Sequence, residues 1–185
     1  MRSANTGLVL LLLVMVSGCG DMMNDLDPSG GNKLPPVQPG TTGPAVGQNA
    51  PDFTLTDVLG NSVTLSTAVT TTALQGVVLY FTMWCPVCDT HMSHMRNSEI
   101  PGFPGIRFYA VDYVSGSVAD ARNAEVSNGY AGSGFTVLAD TQQTVLNLYQ
   151  ATMGTAVVID SSGVIRLNED FKDGARFHAV LFGLQ

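Results

Sequence analysis

Basic residues are scarce in this sequence: eight Lys and Arg stand against fifteen Asp and Glu. The net charge of −7 and the lack of any basic run argue against nucleic-acid binding, because phosphate backbones are repelled. Long apolar runs are also missing. The run Leu8 to Val16 is too short to cross a bilayer as a helix. No internal repeat is present, which excludes a solenoid. Cysteine is rare as well, with residues at 19, 85 and 88, one odd and two paired by spacing. What is abundant is hydrophobic content, 45% over 185 residues, enough for one compact domain plus accessory segments.

The odd cysteine has a context of its own. Arg2 supplies a positive start, the Leu8 to Val16 run follows, and Val16-Ser17-Gly18-Cys19 closes it. This resembles the lipobox of bacterial lipoproteins. The resemblance implies a signal peptide over 1–18 and a lipidated Cys19 as the first mature residue. It places the protein on a bacterial membrane, facing the periplasm or the cell exterior, with acyl chains supplying the membrane affinity. Gly20 to Gly47 is rich in Gly, Pro, Asn, Asp and Gln without a period of 2 or 3.6. A flexible tether over 19–45 is therefore expected, with a folded domain over 46–185.

Within that domain, short alternating strands at Phe53–Leu55 and Val63–Leu65 flank the turn Gly60-Asn61. Val77–Phe81 is a continuous apolar run, as a strand buried on both faces requires. From Cys85 to about Asn97, Cys88, Met92 and Met95 recur at i, i+4, i+7 and predict a helix. Further strands are expected at Ile106–Val111, Thr136–Ala139, Thr155–Ile159 and Val164–Leu167. The last two flank Asp160-Ser161-Ser162-Gly163, a hairpin signal. Helices are expected at Val118–Ser127 and Gln143–Tyr149, and a final one carries Phe177, Val180, Leu181 and Leu184 on one face. The alternation predicts an α/β fold: a mixed central sheet, helices on both faces and an N-terminal β-hairpin extension.

The chemistry centres on Phe81 to Cys88, a buried strand running into a helix that starts at a cysteine. Unpaired N–H groups and partial positive charge at a helix start favour a thiolate. Pro86 suits the first turn because it has no N–H to satisfy. Cys88 lies one turn further in, within reach for a disulfide. Cys85 is thus expected to be the exposed attacking sulfur and Cys88 the shielded resolving one. A purely structural bridge fits this placement poorly. Trp84 is expected to shield the pair from water. Glu99, Asp112 and Glu125 are expected to be solvated surface charges, and His91, His94 and His178 surface helix residues.

Val46 to Leu55 with Gly60 to Leu65, then Trp84-Cys85-Pro86-Val87-Cys88, then Val157-Val158-Ile159-Asp160-x-x-Gly163, resemble the thioredoxin-like redoxins. These join the AhpC/TSA peroxiredoxins to the TlpA and ResA-like thiol-disulfide oxidoreductases. The resemblance covers about 46–185. It implies a thioredoxin-like fold and a membrane-anchored, extracytoplasmic monomer that exchanges electrons with protein dithiols and disulfides, without a cofactor. Two departures stand out. The family's cis-proline, six residues before the hairpin aspartate, is replaced by Gly154, preceded by Met153. The buried acid that in thioredoxin stands six residues before the first cysteine is replaced by Leu79. Gly154 is accordingly expected to open and loosen the loop facing the thiols, and Gly154→Pro to hold or raise disulfide reduction.

Two other activities draw on the same residues. A peroxidase of the AhpC/TSA type is favoured by Thr82, three before Cys85, but Val78 replaces the proline of the peroxiredoxin motif and no arginine occurs between Ala151 and Ile159. A Sco-like Cu(I) chaperone would use Cys85, Cys88 and Met153, since soft sulfur ligands suit that ion. It lacks the expected histidine near Thr152.

Overall fold

The computed structural model describes residues 37–185. Cys19, the 1–18 signal and most of the 19–45 tether lie outside the described residues. Within them, hydrogen bonding to the domain extends upstream of Val46. Thr42 forms a β-bridge with Asn49, and the Asn168 side chain donates to Pro44 O at 2.8 Å.

Seven strands form one mixed sheet. They are β1 (Thr54–Asp57), β2 (Ser62–Thr64), β3 (Gly76–Thr82), β4 (Ile106–Asp112), β5 (Phe135–Ala139), β6 (Thr155–Asp160) and β7 (Ile165–Asp170). Their order is β2-β1-β5-β4-β3-β6-β7. β3, β4 and β5 run parallel, while β6 is antiparallel to β3 and β7 to β6. The β1–β2 hairpin is added antiparallel to the β5 edge, which is the expected N-terminal extension.

β3 is the spine, buried over its whole length. Its alternate residues feed two cores. Val78 and Tyr80 pack with Cys88, Met92, Met95, Phe177 and Leu181 on one face. Val77, Leu79 and Phe81 pack with Leu65, Val69, Val145 and Tyr149 on the other. The helices that close these cores are α1 (Leu65–Val69), α2 (Pro86–His94), α3 (Val118–Ser127), α4 (Thr144–Leu148) and α5 (Ala175–Phe182). Gly76 is required where β3 begins, because a Cβ there would lie 2.5 Å from Ile159 O.

Cys88, Met92 and Met95 share the buried face of α2, as their spacing predicts. Beyond His94 the helix widens into a π-helical turn, Met95–Glu99, and ends with one more turn at Ile100–Gly102. The wide turn buries Glu99 as well as Met95. One strand expectation fails at its end: Leu65 opens α1 rather than closing β2. The Asp52 carboxylate caps this helix from 14 residues away, accepting from Ser66 N and Ser66 Oγ at 2.9 and 2.7 Å.

The β6–β7 hairpin is held by Asp160. Its Oδ1 accepts N–H groups of Ser162 and Val164 at 2.9 and 3.0 Å, and its Oδ2 accepts Arg166 Nε at 2.6 Å. Burial alone would raise this carboxyl, but the bonds from Ser162, Val164 and Arg166 outweigh it and hold the group below its usual range. A depressed carboxyl stabilises the fold above its unfolded pKa and loses that contribution as pH falls below about 4. Asp160→Ala is therefore expected to lower stability by about 2 kcal/mol at neutral pH, and by less near pH 3, in urea unfolding.

Candidate redox site

The C-terminal ends of β3 and β4 lie side by side, Thr82 paired with Asp112. β6 enters from the same end because it runs antiparallel to β3. The Cys85 loop leaves β3 here and the residues before β6 approach it.

Trp84 makes the turn into α2 with φ +59°, a left-handed conformation unusual for a bulky residue. Its N–H donates to Thr82 Oγ1 at 3.0 Å and its indole Nε1 donates to Asp112 Oδ2 at 2.8 Å. Asp112, fully buried, also accepts Val114 N and Ser115 N at 3.0 Å and Ser115 Oγ at 2.6 Å. The carboxylate therefore fixes Trp84 and the loop after β4 together. This corrects the expectation of a solvated charge. Glu99 and Glu125 are buried too: Glu99 accepts His94 Nε2 and His178 Nδ1 at 3.1 and 2.9 Å, and Glu125 pairs with Arg122 at 2.6 Å. Each acid is buried because its oxygens find donors.

Cys85 is the N-cap of α2 and Pro86 its first residue. The Cys85 sulfur accepts the Cys88 N–H at 3.2 Å, and the two sulfurs approach to 2.6 Å. Cys85 is half-buried, whereas Cys88 is fully buried. Tyr130 clamps the first turn from outside, its hydroxyl donating to Asp89 Oδ1 at 2.7 Å. Met83 and Val87, flanking Cys85 in sequence, are exposed, as is Met153.

The charge on the pair differs from what a helix-start argument gives. Burial raises both thiols. Against that, hydrogen bonds from Cys85, the Met83 and Cys85 backbone and Thr82 bring Cys88 below the ordinary value, while the Cys88 contact leaves Cys85 above it. The two thiols titrate as a coupled pair, so access decides which one attacks. Only Cys85 is reachable from solvent.

Gly154 sits beside the helix with φ +84°. Its N–H donates to Phe81 O and its carbonyl accepts Phe171 N, both at 3.0 Å. The loop expected to be open is thus pinned at this residue. A proline could not replace it, since the ring fixes φ near about −65° and removes the bonded N–H. A Cβ here would lie 3.6 Å from the His91 ring and 4.0 Å from the Tyr80 hydroxyl. His91 itself is half-buried, its ring tilted against Phe171 with centroids 4.8 Å apart and bonded through Nδ1 to Tyr80 Oη at 3.0 Å. Tyr80, fully buried, packs in the same cluster as Cys88. From sequence, His91 enters only as part of the evenly spaced Cys85, Cys88, His91, His94 set of the metal reading, with a surface helix residue as the plainer alternative, and Tyr80 reads as a core or groove-wall aromatic.

Among the described residues, no group of three His, Cys, Asp or Glu side chains stands at metal-binding distance. The Cu(I) set is left with two thiols and the exposed Met153. Thr82, the threonine of the peroxidase argument, accepts the Trp84 N–H through its hydroxyl at 3.0 Å.

A sheet with this strand order and a dithiol at the start of α2 defines a thioredoxin-like redoxin. Residues 46–168 match the AhpC/TSA family, and the chain belongs to it. The thiol-disulfide oxidoreductase ResA of Geobacillus kaustophilus is 33% identical over 68% of this chain and 69% of its own. That of Geobacillus thermodenitrificans is 30% identical over the same shares. A Chlorobium tepidum protein assigned as the thiol:disulfide interchange protein DsbE shares the fold with TM-score 0.63 and 24% identity, over 76% of this chain and 97% of its own.

Proposed function

We propose that the protein is a lipid-anchored, extracytoplasmic thiol-disulfide oxidoreductase that works as a monomer on protein dithiols and disulfides. The observation that carries this reading is a pair of sulfurs 2.6 Å apart with unequal access, Cys85 half-buried and Cys88 buried. The ResA relatives lend it support. In the reductive direction the Cys85 thiolate attacks a substrate disulfide. A Cys85–substrate bond forms, the substrate S–S bond breaks, and one substrate sulfur leaves as thiolate. Cys88, losing its proton, attacks the Cys85 sulfur. The Cys85–Cys88 bond forms and the second substrate sulfur leaves with the electron pair. Pro86 starts the helix, Trp84 packs against the cluster that holds Cys88, and Gly154 lies beside the His91 ring one turn further along the same helix.

Cys85→Ser is expected to abolish insulin reduction, and Cys88→Ser to accumulate mixed disulfides through Cys85 on non-reducing gels. Equal trapping by both variants would contradict the roles. The membrane anchor is argued from Arg2, the Leu8 to Val16 run and Val16-Ser17-Gly18-Cys19. Among the described residues no helix is long and apolar enough to cross a membrane. Fatty-acid labelling of the full chain is expected to mark the wild type and not Cys19→Ala. An unlabelled wild type removes the anchor from the proposal. Family membership keeps a peroxidase reading open to a direct check, peroxide consumption with a dithiol reductant. Little or no turnover is expected, given Val78 in place of proline and the Thr82 hydroxyl engaged by the Trp84 N–H.

A further inference from the structure

All three histidines of the sequence lie along one seam, where α2 and its π-helical end meet α5 and the residues after β7. His94 and His178 are both bonded to the Glu99 carboxylate. His91 has a different partner. Its one hydrogen bond among the described residues joins Nδ1 to the Tyr80 hydroxyl at 3.0 Å.

That hydroxyl is buried in an apolar cluster, and Nδ1 is the one acceptor it reaches among the described residues. A buried hydroxyl needs an acceptor for its proton. The bond therefore runs from Tyr80 O–H to an unprotonated Nδ1, which puts the ring proton of His91 on Nε2. A second ring proton turns the contact against itself. Imidazolium has donors only, so its Nδ1–H would point at the Tyr80 oxygen and the phenol proton would have nowhere to go. Burial opposes the charge as well, and Asp170 offsets it only in part, so the ring is neutral at neutral pH.

The other groups around the ring offer no substitute acceptor. On α2 itself Cys88 and His94 stand three residues to either side. β3 brings Tyr80, and the end of β7 brings Asp170, whose carboxylate accepts from Thr155 Oγ1 at 3.3 Å. The residues before β6 bring Gly154 and those after β7 bring Phe171, neither of them titratable. Lys172, next along, is exposed.

The ring is part of a stack on α2. Its centroid lies 4.8 Å from that of Phe171. Phe171 N–H donates to Gly154 O, and Gly154 N–H donates to Phe81 O, both at 3.0 Å. Phe171 also belongs to the cluster that encloses Cys88.

We propose that His91 is an acid switch on this stack: once charged, it leaves Tyr80 for solvent and frees the Gly154–Phe171 packing from the helix that carries the dithiol. The ring is already half-exposed, so a rotation of its side chain suffices. A histidine that the fold holds neutral stabilises it above about pH 6.5 and ceases to do so as pH falls. The switch thus acts on the acid side of neutrality. Its meaning for catalysis rests on the oxidoreductase reading above, since loosening the stack uncovers Cys88. The switch itself is measured without turnover, and insulin reduction by the wild type checks that reading independently.

Nitrogen NMR of the wild-type imidazoles is the first test. At neutral pH His91 is expected as the Nε2–H tautomer, with a titration midpoint below that of a free histidine. An Nδ1–H tautomer, or a midpoint at or above the free value, overturns the switch. The second test follows exchange of the Gly154 and Phe171 amides, each divided by its intrinsic chemical rate. Protection is expected to fall roughly threefold to thirtyfold from neutrality to about pH 5, the upper figure being that of a group that ionises only in the open state. His91→Gln keeps an acceptor for Tyr80 and takes no proton, so its protection should stay level. Tyr80→Phe removes the stranded hydroxyl, so the His91 midpoint should rise and the acid response shrink. Level protection in the wild type, or the same fall in His91→Gln, overturns the proposal. A full response in Tyr80→Phe overturns the part given to the hydroxyl. In a Cys85→Ser background, alkylation of Cys88 should quicken in acid relative to the same protein carrying His91→Gln. Equal rates there overturn the reach of the switch to the thiol.

Discussion

Gly154→Pro is expected to destabilise the domain by more than about 3 kcal/mol and to abolish disulfide reduction. The family resemblance suggests the opposite, since proline is what related oxidoreductases carry there. The backbone decides it. Gly154 has φ +84°, and its N–H is bonded to Phe81 O at 3.0 Å. Proline can neither reach that angle nor supply that donor. Gly154→Ala separates the two costs, because it retains the N–H and pays only the left-handed conformation, about 1–2 kcal/mol. Its Cβ would meet His91 at ordinary contact distance, 3.6 Å. Urea midpoints should therefore order wild type, alanine, proline, with a wide last gap. A proline variant as stable as the wild type would mean that the loop before β6 rearranges freely.

Asp112→Ala is the second large effect, about 3–5 kcal/mol at neutral pH. The change leaves the Trp84 indole N–H and the Val114 and Ser115 amides without their acceptor, and an orphaned buried donor costs about 1–3 kcal/mol. It also frees Trp84 from a strained turn whose left-handed angle is kept by these contacts. The protein has a single tryptophan, so its fluorescence reports on this site alone. The emission should shift to the red in Asp112→Ala under conditions where the protein remains folded. Asp112→Asn, which preserves one acceptor oxygen, should fall between. An unshifted spectrum in a stable Asp112→Ala protein would show that Trp84 is held by packing against Tyr130 instead, whose ring lies 6.2 Å away.

Much of the fold is legible in the sequence because the strong signals are local. The Val77–Phe81 run needs burial on both sides and finds two cores. The Cys88, Met92, Met95 face and the Phe177, Leu181 face both turn inward. The dithiol is equally legible, since spacing and helix start fix its geometry. What escapes is carried by contacts across the chain. α1, Leu65–Val69, is too short to show a helical period, so its first residue reads as the end of a strand, and its cap is an aspartate 14 residues before Ser66. Glu99, Asp112 and Glu125 read as surface charges because a lone acid carries no sign of its donors. Tyr80 and His91 are eleven residues apart in sequence and meet only because β3 lies under α2. The balance of charge between the thiols also depends on contacts that spacing does not show, the hydrogen bonds that lower Cys88 and the Cys88 contact that raises Cys85.

The close approach of Gly154 to the His91 ring ties together two positions that evolution would otherwise vary separately. A residue larger than alanine at this point would extend toward the imidazole one turn beyond the resolving cysteine, because the first carbon already reaches ordinary contact at 3.6 Å. Among relatives, the exchange of proline for glycine at this point and the gain of the histidine should therefore travel as a pair. A lineage that reverts one without the other would carry either a crowded imidazole or an empty notch beside its thiols.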